Sequence, residues 1–406
     1  MKYSITPATV RAHLIQRPAR YLVRQSHAIS ARAENQNRQQ LLYVLMVPTM
    51  AMIFNASVFG VALPTIRTEF GLEADVAAWL VTAYTLPFMM LMPLYGRLGD
   101  SLGKRNLILL GLVIFNIGTV INMVATDLLW LMVGRTVQGV GISGIAPLSI
   151  AIIAERFATG ERGQALGTWN SVGPMMGIVA PLVAGYMIDH GGWRTIFIPS
   201  LLIGLVAVVT VWLLIPSLRS VKLSFLRTFD WIGVLLLALS IIFFIFYISS
   251  RPITGVEALQ DWRLLAVAVV SSMAFVWRER GRRDPFLRLG LFRVASLRWA
   301  SLGAGLRMFT MSGVGFLMPL YLADVHELSA SMTGSVLMLN AAALLMTMRL
   351  GGQLADRWGS RWPVMIGMSI QAAFMIFFAL LPGSASLLFV AAGLLGHGLG
   401  AGLSLA

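Results

Sequence analysis

Arg135 and Arg307 stand inside long apolar runs of the chain. A guanidinium there costs several kcal/mol unless it is paired, hydrogen-bonded or wetted, so its presence points to a polar lumen that admits a solute. A structural anchor near the headgroup zone is the alternative for Arg135. Asn55 in the first apolar run and Gln138, three residues beyond Arg135, are the other polar contacts such a lumen would use. All 17 acidic residues fall in loops or at the ends of apolar runs, so no carboxylate stands mid-run to carry a proton. The nearest are Asp230, Glu155, Asp100 and Asp356. His13, His27, His190, His326 and His397 are dispersed without a ligand pair at helical spacing, there is no cysteine, and no nucleotide-binding fingerprint occurs. His397, set among glycines, reads as the filling of a helix crossing. No metal and no cofactor is implied. The chemistry left is binding and movement of a solute, with no enzymatic step.

These residues must be positioned by membrane helices. Hydrophobic residues make up 57% and charged residues 12% of the 406, where soluble domains carry about 25% charged residues. The apolar runs are continuous rather than alternating, which favours helices over a barrel. Twelve spans are expected at about 42–66, 75–95, 106–125, 128–153, 164–188, 194–216, 230–249, 262–277, 299–322, 332–351, 362–381 and 386–406. With the N-terminus in the cytoplasm, 25 of 31 Lys and Arg fall on the inner side, four fall outside, and Arg135 and Arg307 lie within spans. That asymmetry absorbs most of the net charge of +14 without any nucleic-acid partner. The arginine-dense stretch 277–298 likewise reads as a cytoplasmic linker facing lipid headgroups. Residues 1–40, basic and nearly free of acids, read as a disordered cytoplasmic arm; a transit peptide is the lesser alternative.

One decapeptide, Gly96-Arg97-Leu98-Gly99-Asp100-Ser101-Leu102-Gly103-Lys104-Arg105, recurs as Gly352-Gln353-Leu354-Ala355-Asp356-Arg357-Trp358-Gly359-Ser360-Arg361 at a constant offset of 256 residues. Two glycine-punctuated turns in register between apolar helices mark a duplication. Gly96, Gly99 and Gly103 allow helix ends and a tight turn to approach closely. Asp100 is suited to the free N–H groups of a helix start, and Lys104 and Arg105 to the inner headgroups.

The pattern G-x-L-x-D-x-x-G-x-[KR] resembles the cytoplasmic signature of the major facilitator superfamily, where this loop latches the inner gate. That implies a gating role for Gly96, Asp100, Gly103, Lys104, Arg105, Gly352, Asp356, Gly359 and Arg361. The segment around Arg135 and Gln138 resembles the family's second signature. Gly173-Pro174-Met175-Met176-Gly177-x-x-Ala180-Pro181-x-x-x-Gly185 is similar to the helix motif of exporters that run as antiporters. Asn55 through Pro64, Trp193-Arg194-x-x-Phe197 and Asp230-Trp231-x-Gly233 resemble the fourteen-span drug:proton antiporter branch, which usually has an acid where this chain has Asn55. The resemblance implies an all-α polytopic membrane protein with two six-helix bundles and an inserted helix pair. Its parts would be an arm over 1–40, a first bundle over 41–217, a linker with the inserted pair over 218–297, and an incomplete second bundle over 298–406, about 12 of 14 spans, with a truncated C-terminus. The expected function is export of a hydrophobic or amphipathic compound by alternating access and proton antiport in the cell inner (plasma) membrane. Its partners would be the bilayer, a small-molecule substrate and protons; an adaptor on the far side is left open. Walls are expected from Trp169, Met175, Met176, Phe309 and Met311. A non-transporting remnant and a transporter without proton coupling are the alternatives.

Overall fold

The computed structural model describes residues 7–158, 160–215, 229–249, 251–280, 282, 286–287, 289–383 and 385–405, with side chains described from residue 38. Among them every regular element is helical: α1 (Pro7–Glu69), α2 (Ala74–Leu102), α3 (Lys104–Met123), α4 (Leu128–Ile142), α5 (Ile145–Arg156), α6 (Arg162–Asn170), α7 (Val172–Gly191), α8 (Phe197–Leu214), α9 (Trp231–Ile248), α10 (Trp262–Arg280), α11 (Ala295–Asp324), α12 (Ala330–Trp358), α13 (Arg361–Leu380) and α14 (Leu387–Leu403), with short helical turns between some of them. Ten stretches are long and apolar enough to cross a bilayer, α4–α5 and α6–α7 each counting as one. The more charged α10 and the shorter α14 occupy the two other expected spans.

Three expectations change. The arm is helical from Pro7 and continuous with the first span; its sequence is rich in Ala, Arg and Gln, which are strong helix formers. The fourth and fifth spans are each broken, at Ser143-Gly144 and at Ser171. Each break lies just ahead of a proline, Pro147 or Pro174, whose ring meets the carbonyl four residues back, and Ser, Gly and Asn hold the broken turn poorly. The boundary expected at 217–218 lies outside the described residues, as do 281, 283–285 and 288 of the arginine-dense stretch.

The first bundle is the better packed part. Against α1 lie α7 and α8, α3 packs on α4 and α8, and α2 on α4. Its core has two clusters, one around Leu45, Phe115, Ile153 and Trp169, the other around Phe59, Leu63, Leu131 and Trp193. Further along the chain, α9 pairs with α10, while α14 packs between α12 and α13 over a smaller cluster of Val314, Leu322, Val336, Val390 and Leu394.

Glu69 at the end of α1 accepts bonds from Trp193 and Arg194, which follow α7, and Asp189 near the end of α7 meets the start of α12. Both α2 and α12 therefore start at one end of the molecule and carry their decapeptides to the other. The two turns are alike in geometry as well as sequence: Gly103 has φ 87° and Gly359 has φ 80°, a region open mainly to glycine. Alanine at Gly103 is expected to cost about 1–3 kcal/mol, read as a lower thermal unfolding midpoint of the purified protein.

Candidate functional site

Arg135 is 1% exposed. Four helices converge on it. From α1, Asn55 Oδ1 accepts its Nη1 at 3.0 Å, and Phe59, one turn on, lays its ring 3.8 Å from Cζ. From α2, the Leu80 carbonyl accepts Nε at 3.3 Å and the Tyr84 ring stands 4.3 Å from Cζ. Gln138, on Arg135's own helix, accepts Nη1 at 3.2 Å with the same Oε1 that accepts Asn122 Nδ2 of α3 at 2.9 Å. Its amide then donates to Thr119 Oγ1 at 2.8 Å. The guanidinium is thus held between two aromatic faces and neutral oxygens, an arrangement that offsets desolvation without a counter-ion. Among the described residues it makes no ion pair. Asn55 Nδ2, Asn122 Oδ1 and the Tyr84 hydroxyl are buried without hydrogen-bond partners among the described residues, so the cluster keeps unused polar capacity.

The sequence named Asn55, Arg135 and Gln138, and the structure brings them together. It corrects where they sit: Arg135 faces no open lumen and is no headgroup anchor, because ring faces and side-chain oxygens satisfy it inside the first bundle. Arg307 is not part of the cluster; on α11 its Nη1 has Met311 Sδ of its own helix at 4.0 Å. Phe59, Tyr84, Thr119 and Asn122 were missed. The one local signal was Phe59, four residues from Asn55 and so on the same face. Of the expected walls, Trp169 and Met176 pack in the first bundle's core, whereas Met175 and Phe309 are exposed. His397 fills the α12–α14 crossing, its Nδ1 3.1 Å from Asn340 Oδ1.

In the first decapeptide Asp100 caps no helix. It lies inside α2, and α3 begins at Lys104, preceded by Gly103, without a side-chain cap. Instead Lys104 Nζ bridges Asp100 at 3.3 Å and Glu155 of α5 at 2.7 Å, because the Gly103 turn brings the ends of α2 and α3 side by side. Arg105 donates to the Trp212 carbonyl at 2.6 Å, and Arg97 to the Phe286 carbonyl at 3.2 Å. Gly99 is the close approach: a Cβ there would lie 2.4 Å from Leu148 Cδ2, whereas Gly96 has room for one. In the second copy residues 356–362 are all exposed. Asp356 and Arg361 form no ion pair among the described residues, and a Cβ at Gly352 would meet nothing within 4 Å.

The Gly/Pro helix motif lies in α7, against α12. A Cβ at Gly185 would sit 2.5 Å from the Ala330 carbonyl oxygen, one at Gly177 2.8 Å from Ala341 Cβ, and one at Gly334 of α12 2.2 Å from the Pro181 oxygen. Gly173 faces Ile53 of α1, and Pro174 sits in the first turn of α7 after the break. The same end carries charged joints. Asp189 accepts the N–H groups of Ala330 at 3.1 Å and Ser331 at 3.0 Å, the start of α12, and Arg67 pairs with Asp324. The two halves are therefore closed together at the end opposite the decapeptides, while the second decapeptide stands exposed at its own.

Residues 45–406 match the profile of the Major Facilitator Superfamily. The multidrug resistance protein Stp of Mycobacterium tuberculosis is 29% identical over 89% of this chain and 68% of its own length. The riboflavin transporter RibZ of Clostridioides difficile is 27% identical over 89% of this chain and 78% of its own. The tetracenomycin C resistance and export protein of Streptomyces glaucescens is 24% identical over 82% of this chain and 61% of its own. A bacterial homolog of the human lysosomal transporter Spinster, solved inward-facing and unoccupied, shares the fold at TM-score 0.59 and 18% identity, over 91% of this chain and 74% of that one. With its paired decapeptides, broken spans and glycine-lined joint between two halves, the chain belongs to the Major Facilitator Superfamily and is a membrane transporter rather than an enzyme.

Proposed function

We propose that the chain exports a hydrophobic or amphipathic organic compound from the cytoplasm across the plasma (inner) membrane, by alternating access coupled to proton antiport. The observation that carries this reading is the α7–α12 joint, where Gly177, Gly185 and Gly334 bring backbones into contact and close one end of the molecule while residues 356–362 stand exposed at the other. A transporter in one such state needs only to reverse which end is closed. The Lys and Arg asymmetry supports decapeptides in the cytoplasm, so the closed end faces out. Relatives named for multidrug resistance and for tetracenomycin C export support a drug-like substrate; the relative named as a riboflavin transporter widens the class beyond drugs.

In this reading Asn55, Arg135 and Gln138 change partners as the first bundle rocks, and Arg307 is a polar contact from the second half. Gly96, Asp100, Gly103, Lys104 and Arg105 with Gly352, Asp356, Gly359 and Arg361 gate the inner end. Gly173, Pro174, Gly177, Pro181 and Gly185 form the outer joint. A second reading, transport without proton coupling, is favoured by the purely neutral partners of Arg135.

Inside-out vesicles containing the purified chain test both. Uptake of a fluorescent aromatic dye is expected, stopping when a protonophore collapses the gradient, and falling several-fold in Asp100→Asn. Uptake that survives the protonophore selects the second reading, and no dye movement by the parent chain rejects export.

A further inference from the structure

The chain has a buried carboxyl pair outside the cluster around Arg135. Asp230 precedes α9, and Glu279 lies at the end of α10, so the two close the foot of the inserted helix pair. Both are 4% exposed. Asp230 Oδ1 is fully engaged: it accepts the Gly233 N–H at 3.0 Å, Arg278 Nε at 3.0 Å and Arg278 Nη2 at 2.9 Å. Among the described residues its Oδ2 has the Arg282 guanidinium at 3.4 Å and no hydrogen bond. Glu279 Oε2 accepts the Leu287 N–H at 3.1 Å, while Oε1 is buried with no partner among the described residues.

The two unsatisfied oxygens point into one small space. A Cβ on Gly233 would lie 2.6 Å from Asp230 Oδ2 and 2.7 Å from Glu279 Oε1. Glycine here leaves that space to the two oxygens. Two ionised carboxylates cannot share it without repulsion, and one proton between them turns the repulsion into a hydrogen bond.

We propose that Asp230 and Glu279 bind one proton between Oδ2 and Oε1, and that this proton holds the first decapeptide through the 286–287 segment. The proton comes from water at the decapeptide end and returns to it. It resides on Glu279. Burial pushes the Glu279 carboxyl up and the Asp230 carboxylate adds to it, against the Leu287 N–H and the Arg282 charge. Burial also works against Asp230, but the Arg278 bonds, the Gly233 N–H and the Arg282 charge outweigh it and hold that carboxyl low. On the elements packed against the inserted pair the other charged groups are Arg97 and Asp100 at the end of α2, Arg280 at the end of α10 and Arg293 of the helical turn 289–293; Arg283, Asp284 and Arg288 lie outside the described residues.

The link to the decapeptide is short. Glu279 holds the Leu287 N–H, and the carbonyl of the preceding residue, Phe286, accepts Arg97 Nη2 at 3.2 Å. Loss of the proton sets the two carboxylates against each other, drives Glu279 off Asp230, and draws the segment and its carbonyl from Arg97. The linkage has a definite sign. Glu279, raised in the fold, contributes stability that is complete below its ordinary 4.5 and is lost as pH rises through the raised value. Asp230, held low, contributes stability above its ordinary 3.8 that is lost only as pH falls through the lowered value.

The test titrates the purified full-length chain in nanodiscs, so its failure is separate from a failure of the export reading. Infrared pH-difference spectra are expected to show one protonated-carboxyl band that titrates above pH 4.5 and disappears in Glu279→Gln. A fluorophore on Ser101→Cys, in a chain with no native cysteine, is expected to report the same transition and to lose it in that variant. Should Glu279→Gln fold poorly, Asp230→Asn, whose amide can donate to Oε1, is expected to move the transition to lower pH. A band retained in Glu279→Gln, or a transition unmoved in Asp230→Asn, overturns the proposal.

Discussion

Replacing Arg135 with alanine is expected to abolish transport and to lower the unfolding temperature. The change orphans Asn55 Oδ1 and takes one donor each from Gln138 Oε1, which keeps Asn122 Nδ2, and from the Leu80 carbonyl inside α2. The orphaned Asn55 oxygen alone costs about 1–3 kcal/mol, and the space between Phe59 and Tyr84 is left empty. Methionine separates structure from function. It refills that space but restores none of the lost hydrogen bonds, so Arg135→Met is expected to stay folded, with a smaller loss of stability than Arg135→Ala. Its vesicle uptake is nonetheless expected to fall on the order of 100-fold, about 2.7 kcal/mol of barrier. Parental uptake by Arg135→Met would reduce the arginine to a packing element. Asn55→Asp offers the converse: a carboxylate in place of the 3.0 Å amide contact converts a neutral bond into an ion pair, and the variant is expected to fold and to shift the pH dependence of uptake.

Valine at Gly334 is expected to break the closed end. The first added carbon would lie 2.2 Å from the Pro181 carbonyl oxygen, a backbone atom that cannot rotate aside. Relief requires the α7 and α12 backbones to separate, at about 1–3 kcal/mol charged to the closed state alone. Since 1.4 kcal/mol is about a factor of ten in population, the closed state is expected to lose about five-fold to 100-fold in occupancy, and uptake to fall with it. A single cysteine at Ser335, on the next residue of α12, is expected to react at least several-fold faster with a membrane-impermeant maleimide in Gly334→Val than in the parent. Gly352→Ala is the control. Its Cβ would meet nothing within 4 Å and it lies away from the α7–α12 joint, so labelling at Ser335 is expected to match the parent. Equal labelling in Gly334→Val would show that the joint does not hold the halves together.

The candidate site was partly legible. Arg135 announced itself because a charge in an apolar run is costly wherever it lies, and Asn55 and Gln138 because they are polar in the same setting. Asp100 was misassigned: its position suggested a cap, but Gly103 turns the chain so that Lys104 reaches it and Glu155 together. Glu279 was passed over because it looks like one more charge in an arginine-dense stretch, and only its burial against Asp230 distinguishes it.

The sequence by itself determined what is local. Continuous apolar runs dictate helices in lipid, where backbone groups find no other partners. Two decapeptides in register dictate matching turns, and Gly103 and Gly359 take the same left-handed backbone. What only the tertiary structure decided is which distant groups share a space: the four helices around Arg135, the contact of Gly334 with Pro181, the carboxyl pair over Gly233. These join residues tens to more than a hundred positions apart, and their meeting depends on how helices cross, which no local pattern of apolar residues specifies.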